Sequence, residues 1–375
     1  MRRITDWFRR RESRTLTLPA RGRAIVVSDL HGNLGDWQAF LARSEAIERI
    51  AAGEDLYLIL TGDVPDVARH RTVDRSVPPD GDVQVLDALI EARARLGANG
   101  RRIVYVEGNH DYHVARIALE IARFDALRRG AREPGPDELP SVDPEAYALY
   151  CANYRETYGE AIFQNNVAPY DMVPRAKSEH LRFVKSGPVL VLCEGAGVVV
   201  AHAGPPRMEG RDPRALRKEI DGASAADLDE ARPEQYFASA YHQLLNNRFR
   251  HGDYDDDDLR RFLAIYDAEL MISGHTPHPY LLDFEARSAL AGCAFHDGVG
   301  RIGQRQIVLC TSFGSFTPAH KRYLEFDLSE PVISAERLLA RGDVARRLYD
   351  EEEAAALGVT PLPGAEILAE IGAQP

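Results

Sequence analysis

The sequence predicts an α/β fold with its working residues beyond the carboxyl ends of parallel strands. Two observations carry that prediction. Three short apolar runs, Ala24–Val27, Leu56–Leu60 and Ile103–Val106, have the length and branched-residue content of buried strands. Each stops at a polar cluster: Asp29-Leu30-His31, Gly62-Asp63 and Gly108-Asn109-His110-Asp111. Helical stretches over about Leu34–Arg43 and Val83–Leu96 separate the runs. The order strand, helix, strand, helix, strand implies parallel strands joined by crossover helices. By strand count alone, a doubly wound sheet also fits.

The later elements continue the pattern. From Tyr112 to about Tyr158 the periodicity is mostly helical, broken by the loop Gly130–Pro140. Pro188–Glu194 and Val198–Ala201 read as a hairpin that delivers His202-Ala203-Gly204. Helices dominate from about Pro213 to Tyr266, and the acidic run Asp255–Asp258 opens one of them, because acids favour helix N-termini. A calcium loop would need alternating ligands and a glycine turn, and that spacing is absent. Leu270–Ser273 is a further strand, ending at Gly274-His275-Thr276-Pro277. Tyr280–Asp283, Ala291–His296, Gln306–Cys310 and Arg322–Asp327 supply more β-rich sequence, and the stretch from Ser334 reads as helical and charged.

Bulk properties bound the function. The chain has 375 residues, 45% hydrophobic and 28% charged, an ordinary globular composition. A formal net charge of −12 argues against broad nucleic-acid binding, yet allows a phosphorylated substrate where metal ions reverse the local sign. No run of 18 apolar residues suggests a membrane span. The arginine-rich start is not followed by an apolar stretch, so a signal peptide is incomplete and a cytoplasmic location is expected. Cys151, Cys193, Cys293 and Cys310 are far apart in sequence and read as reduced thiols, not as a disulfide framework or thiolate metal site.

Five clusters after strands carry oxygen or imidazole donors: Asp29-Leu30-His31, Gly62-Asp63-Val64-Pro65-Asp66, Gly108-Asn109-His110-Asp111, His202-Ala203-Gly204 and Gly274-His275-Thr276-Pro277. One histidine after a strand is ordinarily a hydrogen-bonded structural residue; five clusters in series are not so explained. Their order and spelling resemble the calcineurin-like metallophosphoesterases over about Ile25–Pro277. Ala-His-Ala-Gly and Gly-His-Thr-Pro look most like the branch containing serine/threonine protein phosphatases, with diadenosine tetraphosphatases close by.

The resemblance implies a four-layer α/β/β/α sandwich of two mixed sheets flanked by helices, with a two-metal site at the strand C-terminal edge. It implies that Asp29, His31 and Asp63 hold one metal, and that Asp63, Asn109, His202 and His275 hold the other, Asp63 bridging. Such mixed donors suit manganese first, with iron or zinc as alternatives. Metals roughly 3.5–4 Å apart acidify a bridging water and clamp phosphate oxygens, so no protein nucleophile is needed. His110, taken as the neighbour of Asn109 on an extended segment, points away from the ligands; by the resemblance it is the general acid that protonates the leaving group. Asp66 would orient it.

Departures from the family pattern matter too. Val67-Ala68 stands where the phosphatase branch has Arg-Gly after the Asp66 position, and Arg69 reads as a solvated helix-face residue. Arg248 is the candidate phosphate-binding arginine, ahead of Arg250 and Arg207. His278 falls one residue late for a further ligand, and His113 reads as structural or as support behind a ligand.

The expected organisation is a basic segment over 1–20, a catalytic domain over 21–330 and a helical tail over 331–375. An insertion over about 112–185 is expected to cover part of the cleft and influence substrate choice. The expected activity is metal-dependent hydrolysis of a phosphomonoester on a phosphoprotein or small metabolite. Diester or dinucleoside polyphosphate hydrolysis is the alternative, and a non-catalytic metal-binding scaffold a further one. The sequence gives no oligomeric state.

Overall fold

Successive residues along the central strands enter different cores. In β2 (Arg23–Val27), Ile25 and Val27 pack against helices while Ala24 and Val26 face a second sheet. The period-2 geometry of an extended chain enforces this split, and burial on both faces explains the unbroken apolar run. A computed structural model describes residues 13–135, 138–222, 233–249, 252–277, 293–296, 298–315 and 317–358.

With β2 in one sheet are β3 (Leu56–Leu60) and β4 (Ile103–Tyr105), all three parallel. On the other side of β2 lie β11 (Arg322–Asp327) and β12 (Ala345–Arg347), each antiparallel to its neighbour. The larger sheet has the order β1 (Thr15–Leu18), β5 (Leu190–Cys193), β6 (Val198–Ala201), β7 (Leu270–Ser273), β10 (Gln306–Val308), β9 (Val299–Ile302) and β8 (Cys293–His296). Both sheets are mixed.

Three apolar clusters then define four layers. Val26, Ile59 and Val104 meet Val191, Val200 and Ile272 between the sheets. Trp37 and Phe40 of the helix Leu34–Ser44, with Val85, Leu86 and Leu89 of the helix Gly81–Leu96, cover the outer face of the smaller sheet. Leu216 and Ile220 of Pro213–Asp221, with Leu259, Phe262 and Leu263 of Asp256–Ala264, cover the larger one. This is the α/β/β/α sandwich. The doubly wound alternative falls because β5 and β6, with β7 and β10, form a second sheet instead of extending the first.

Several local readings match what folds. The hairpin forms, turning at Gly197 with φ +65°. Asp255 caps the helix Asp256–Ala264 by accepting from Asp258 N at 2.9 Å. Cys151, Cys193 and Cys310 are buried free thiols.

Others need correction. Gly108–Asp111 is not extended: Asn109 opens a 20-residue helix, Asn109–Arg128. The sequence from Ser334 is not wholly helical, because Ala345–Arg347 adds β12 to the smaller sheet. Thr15–Leu18, read as part of the basic segment, is strand β1 and pairs with β5. The segment 1–12, Arg250, His278, the strand expected at Tyr280–Asp283 and the chain after 358 lie outside the described residues.

Candidate metal centre

The polar clusters do meet at one edge, and the backbone bends sharply to bring them there. Asp29, His31, Asp63, Asp66 and His275 have φ values of 47°, 41°, 54°, 74° and 64°. Left-handed backbone costs a residue with a Cβ roughly 1–2 kcal/mol, so the surroundings must enforce it. They do so through hydrogen bonds: His31 N donates to Asp63 O at 2.8 Å and Phe313 N to Asp29 O at 2.8 Å. The His275 N–H donates to both Asp29 carboxylate oxygens, at 3.0 and 3.1 Å.

Two glycines in the clusters are required by close approach. A Cβ on Gly108 would sit 2.3 Å from Asp63 Oδ1, and one on Gly274 would sit 2.2 Å from Asp29 Oδ2. Asp111 ties the strand ends together. Its Oδ2 accepts from Gly108 N at 2.8 Å and Asp63 N at 3.0 Å, and its Oδ1 accepts from Tyr105 OH at 2.6 Å. The sequence reading gave Asp111 no role. Its three-residue offset from Gly108, at the start of a helix, was the available signal.

The imidazoles are oriented by backbone carbonyls. His202 Nδ1 lies 2.6 Å from Thr61 O, and His275 Nε2 lies 3.1 Å from Asn246 O. A carbonyl accepts only, so those nitrogens carry the protons of the neutral rings. The opposite nitrogens turn their lone pairs inward. His202 Nε2 is then 2.9 Å from Asn109 Oδ1, 3.1 Å from His275 Nδ1 and 3.3 Å from Asp63 Oδ2. Four acceptors converge with no proton among them when both rings are neutral. That arrangement is repulsive unless a cation, or a proton on His202 Nε2, sits at its focus, and mixed imidazole, amide and carboxylate donors suit a divalent transition metal.

A second group of donors shares Asp63. Donor atoms of His31, Asp63 and His110 lie within 4.8 Å of one another, as do those of Asp63, His202 and His275. His31 Nε2 is 3.7 Å from Asp63 Oδ2. Asp29 joins neither close group, its carboxylate being held by the His275 amide, although it is buried and within electrostatic reach of His202 and Asp63.

Electrostatics follow from burial and neighbours. Burial, reinforced by His110, lowers His31 to about 3. Burial also holds His275 well below its usual value, with Arg248 and His202 adding to the effect. His202 goes the other way: burial opposes its charge, but Asp63 beside it raises it to about 9. Burial, together with the Asp63 charge, lifts Asp29 to about 7. Asp63 stays well below the ordinary carboxylate range, since His202 and His110 outweigh its burial.

Beside these donors, His110 Nδ1 lies 3.1 Å from Asp66 Oδ2, and its Nε2 is 3.9 Å from Asp63 Oδ2. Asp66 also caps the helix Val67–Val73 through Arg69 N and pairs with Arg69 Nε at 3.1 Å. Arg69 is therefore no solvated helix-face arginine. Its guanidinium is drawn down onto the carboxylate that faces His110. Arg248 reaches the rim, with Nη2 3.4 Å from His275 O. Arg207 instead binds the carbonyls of Gly252 and Asp253 and is exposed. His113 packs against Tyr170 at 5.5 Å, and Tyr170 packs against His110 at 5.7 Å, so the inserted segment does reach the site.

A buried carboxylate shared by two imidazole-rich groups, at the carboxyl edge of a two-sheet sandwich, defines a metal-dependent hydrolase. Residues 22–279 match the profile of calcineurin-like phosphoesterases, and the chain belongs to that family, whose members use divalent metals. It is thus a metallophosphoesterase. No curated protein matches the sequence.

Among solved structures it is similar to a serine/threonine protein phosphatase from Saccharomyces cerevisiae. The identity is 12%, with 84% of this chain and 76% of that chain covered and a TM-score of 0.43. It is also similar to a cold-active protein-tyrosine phosphatase from a psychrophilic Shewanella, with 14% identity, 84% and 77% coverage and a TM-score of 0.43. A putative diadenosine tetraphosphatase matches with 14% identity, 84% and 92% coverage and a TM-score of 0.36. Likeness at this level carries no argument about substrate. Among the described residues, no helix is long and apolar enough to cross a membrane.

Proposed function

We propose that the chain hydrolyses phosphomonoesters with two divalent metals, manganese first among the candidates and iron or zinc after it. Asp29, His31 and Asp63 would hold one metal; Asp63, Asn109, His202 and His275 would hold the other. When bound, the pair supplies Lewis acidity and an acidified water. The observation that carries the reading is the inward convergence of lone pairs around His202, fixed by the carbonyls of Thr61 and Asn246. Within it, Asp63 remains ionised and able to bridge.

His110 acts as the leaving-group acid in this reading. With Nδ1 on Asp66, its Nε2 faces the centre and can hold a proton for the departing oxygen. Asp66 fixes that tautomer, and Arg69 holds Asp66 in place. A monoester is favoured over a diester because Arg248 reaches the carbonyl of His275 at the centre, and a guanidinium there suits a dianion better than a monoanion. The substrate is a phosphorylated protein or a small phosphoester.

The test compares hydrolysis of an aryl phosphomonoester with that of a bis-aryl phosphodiester, using metal-stripped protein supplied with manganese and His110→Ala as control. Monoester turnover that returns with metal and collapses in the variant is expected. Diester turnover in its place would overturn the monoester assignment.

A further inference from the structure

A groove of about 530 Å³ opens beside the helix Val67–Val73. Val67, Ala68, Arg71 and Arg75 line one wall, and Asp171 stands on the other. Three observations make this more than a surface dent. Its helix starts at Asp66, the carboxylate that faces His110, so groove and candidate site share one structural element. Its far wall follows Tyr170, the ring packed on His110. No carboxylate among the described residues lies within ion-pairing distance of Arg71 or Arg75, so both guanidiniums are available to an anion. Asp171, which interacts with Arg71 at longer range, is itself bound by Arg175 at 3.1 Å.

We propose that this groove binds a second phosphate carried by the leaving group of the substrate. The inference rests on the reading of His110 as the leaving-group acid. Arg71 lies five positions after Asp66, a rise of about 7.5 Å along the helix axis, on the scale of the spacing between the phosphates of a compact bisphosphorylated molecule. Two guanidiniums offer forked donors matched to phosphate oxygens. Val67 and Ala68 supply an apolar flank for the scaffold between the phosphates. The substrate class is therefore a small bisphosphorylated ester, from which one phosphate is removed while the other is gripped. A phosphorylated protein segment is the competing occupant that the experiment must beat.

Two measurements test the groove, using the full chain and Arg71→Gln/Arg75→Gln. The first compares kcat/KM for 1,4-phenylene bisphosphate and phenyl phosphate with manganese present. Loss of charge-assisted bonds should lower the bisphosphate value about tenfold or more, leaving phenyl phosphate within about twofold. Equal losses on both esters, no loss on either, or a loss confined to a phosphopeptide would overturn the proposal. The second measures pyrophosphate binding to metal-stripped protein by calorimetry, which does not depend on turnover. Binding that weakens about tenfold in the double variant supports the groove even if neither ester is hydrolysed, an outcome that would sink the hydrolase reading alone. Pyrophosphate binding unchanged by the substitutions, or absent from the native chain, would overturn it.

Discussion

At metal-free neutrality His31 and His275 are neutral and ready to ligate, whereas His202 holds a proton. Metal must displace that proton. Because His202 is raised to about 9, protonation competes at every pH below that value and fades above it. Apparent manganese affinity should therefore rise with pH through the neutral range, by up to about tenfold per unit for one proton released. Calorimetric titrations at three pH values, in buffers of different ionisation enthalpy, would read both the slope and the proton count. A flat affinity would show that His202 binds no proton in the metal-free protein.

The sequence made most of the residue-level site legible, because strand-terminal donors can be read off as spelling. Three-dimensional pairing was not legible in that way. Arg69 looked solvated because its one-dimensional context is a helix face. The structure shows that the i to i+3 return of a helix N-terminus folds it onto Asp66. Asp111 was missed for the complementary reason, since its partners Asp63 and Tyr105 come from two strands. Replacing Gly108 with Ala should be severe. Its Cβ would meet Asp63 Oδ1 and force that carboxylate aside, so both manganese binding and activity should collapse if Asp63 bridges the metals as proposed. A variant that keeps native metal content would refute the close approach.

The helix elements place the acid. Asp66 has two tasks, capping Val67–Val73 and facing His110, and two substitutions separate them. Asparagine caps nearly as well as aspartate, so Asp66→Asn should change stability by less than about 0.5 kcal/mol while removing the charge behind His110. Its kcat should fall, because His110 loses the carboxylate charge that holds its Nδ1 side in place. Asp66→Ala should lose kcat and, in addition, roughly 1 kcal/mol from the missing cap. His110→Ala should cut kcat by roughly 10²–10⁴-fold without lowering metal content, the result that separates an acid from a ligand. Loss of metal in that variant would reassign His110 as a donor. The extended geometry expected at Gly108–Asp111 failed because three of its four residues begin a helix, with Gly108 as its N-cap only three residues after β4 ends at Tyr105.

On the scale of the whole molecule, the smaller sheet depends on sequence far from its centre. Strand β12 covers the edge of β11, and Arg346 reaches buried Glu325 at 3.1 Å, a carboxylate also shared with Arg23 and Arg49. Tyr349 donates to Asp36 Oδ1 at 2.6 Å, inside a buried cluster that includes Lys321 and Ser312. The stretch read as a charged helical tail was illegible as structure, because Ala345–Arg347 has no apolar run and pairs through its backbone. Truncation after residue 340 should expose the β11 edge and strip partners from Glu325 and Asp36. The expected outcome is a lower Tm and concentration-dependent aggregation, read by calorimetry and light scattering. An unchanged Tm would mean that β12 contributes nothing to the sheet.

Asp63 and Asn109 follow β3 and β4 of the smaller sheet, while His202 and His275 follow β6 and β7 of the larger one. A cation held by them, as proposed, would act as a rivet through the seam of the sandwich. The sheets, already packed on a shared apolar core, could not then slide past one another without disturbing its coordination, and metal loading would add a second coupling between them. The melting temperature should accordingly climb with the logarithm of free manganese above its dissociation constant. Amide exchange at β6 and β7 should slow together with that at β3 on loading, although no hydrogen-bond ladder connects the two sheets.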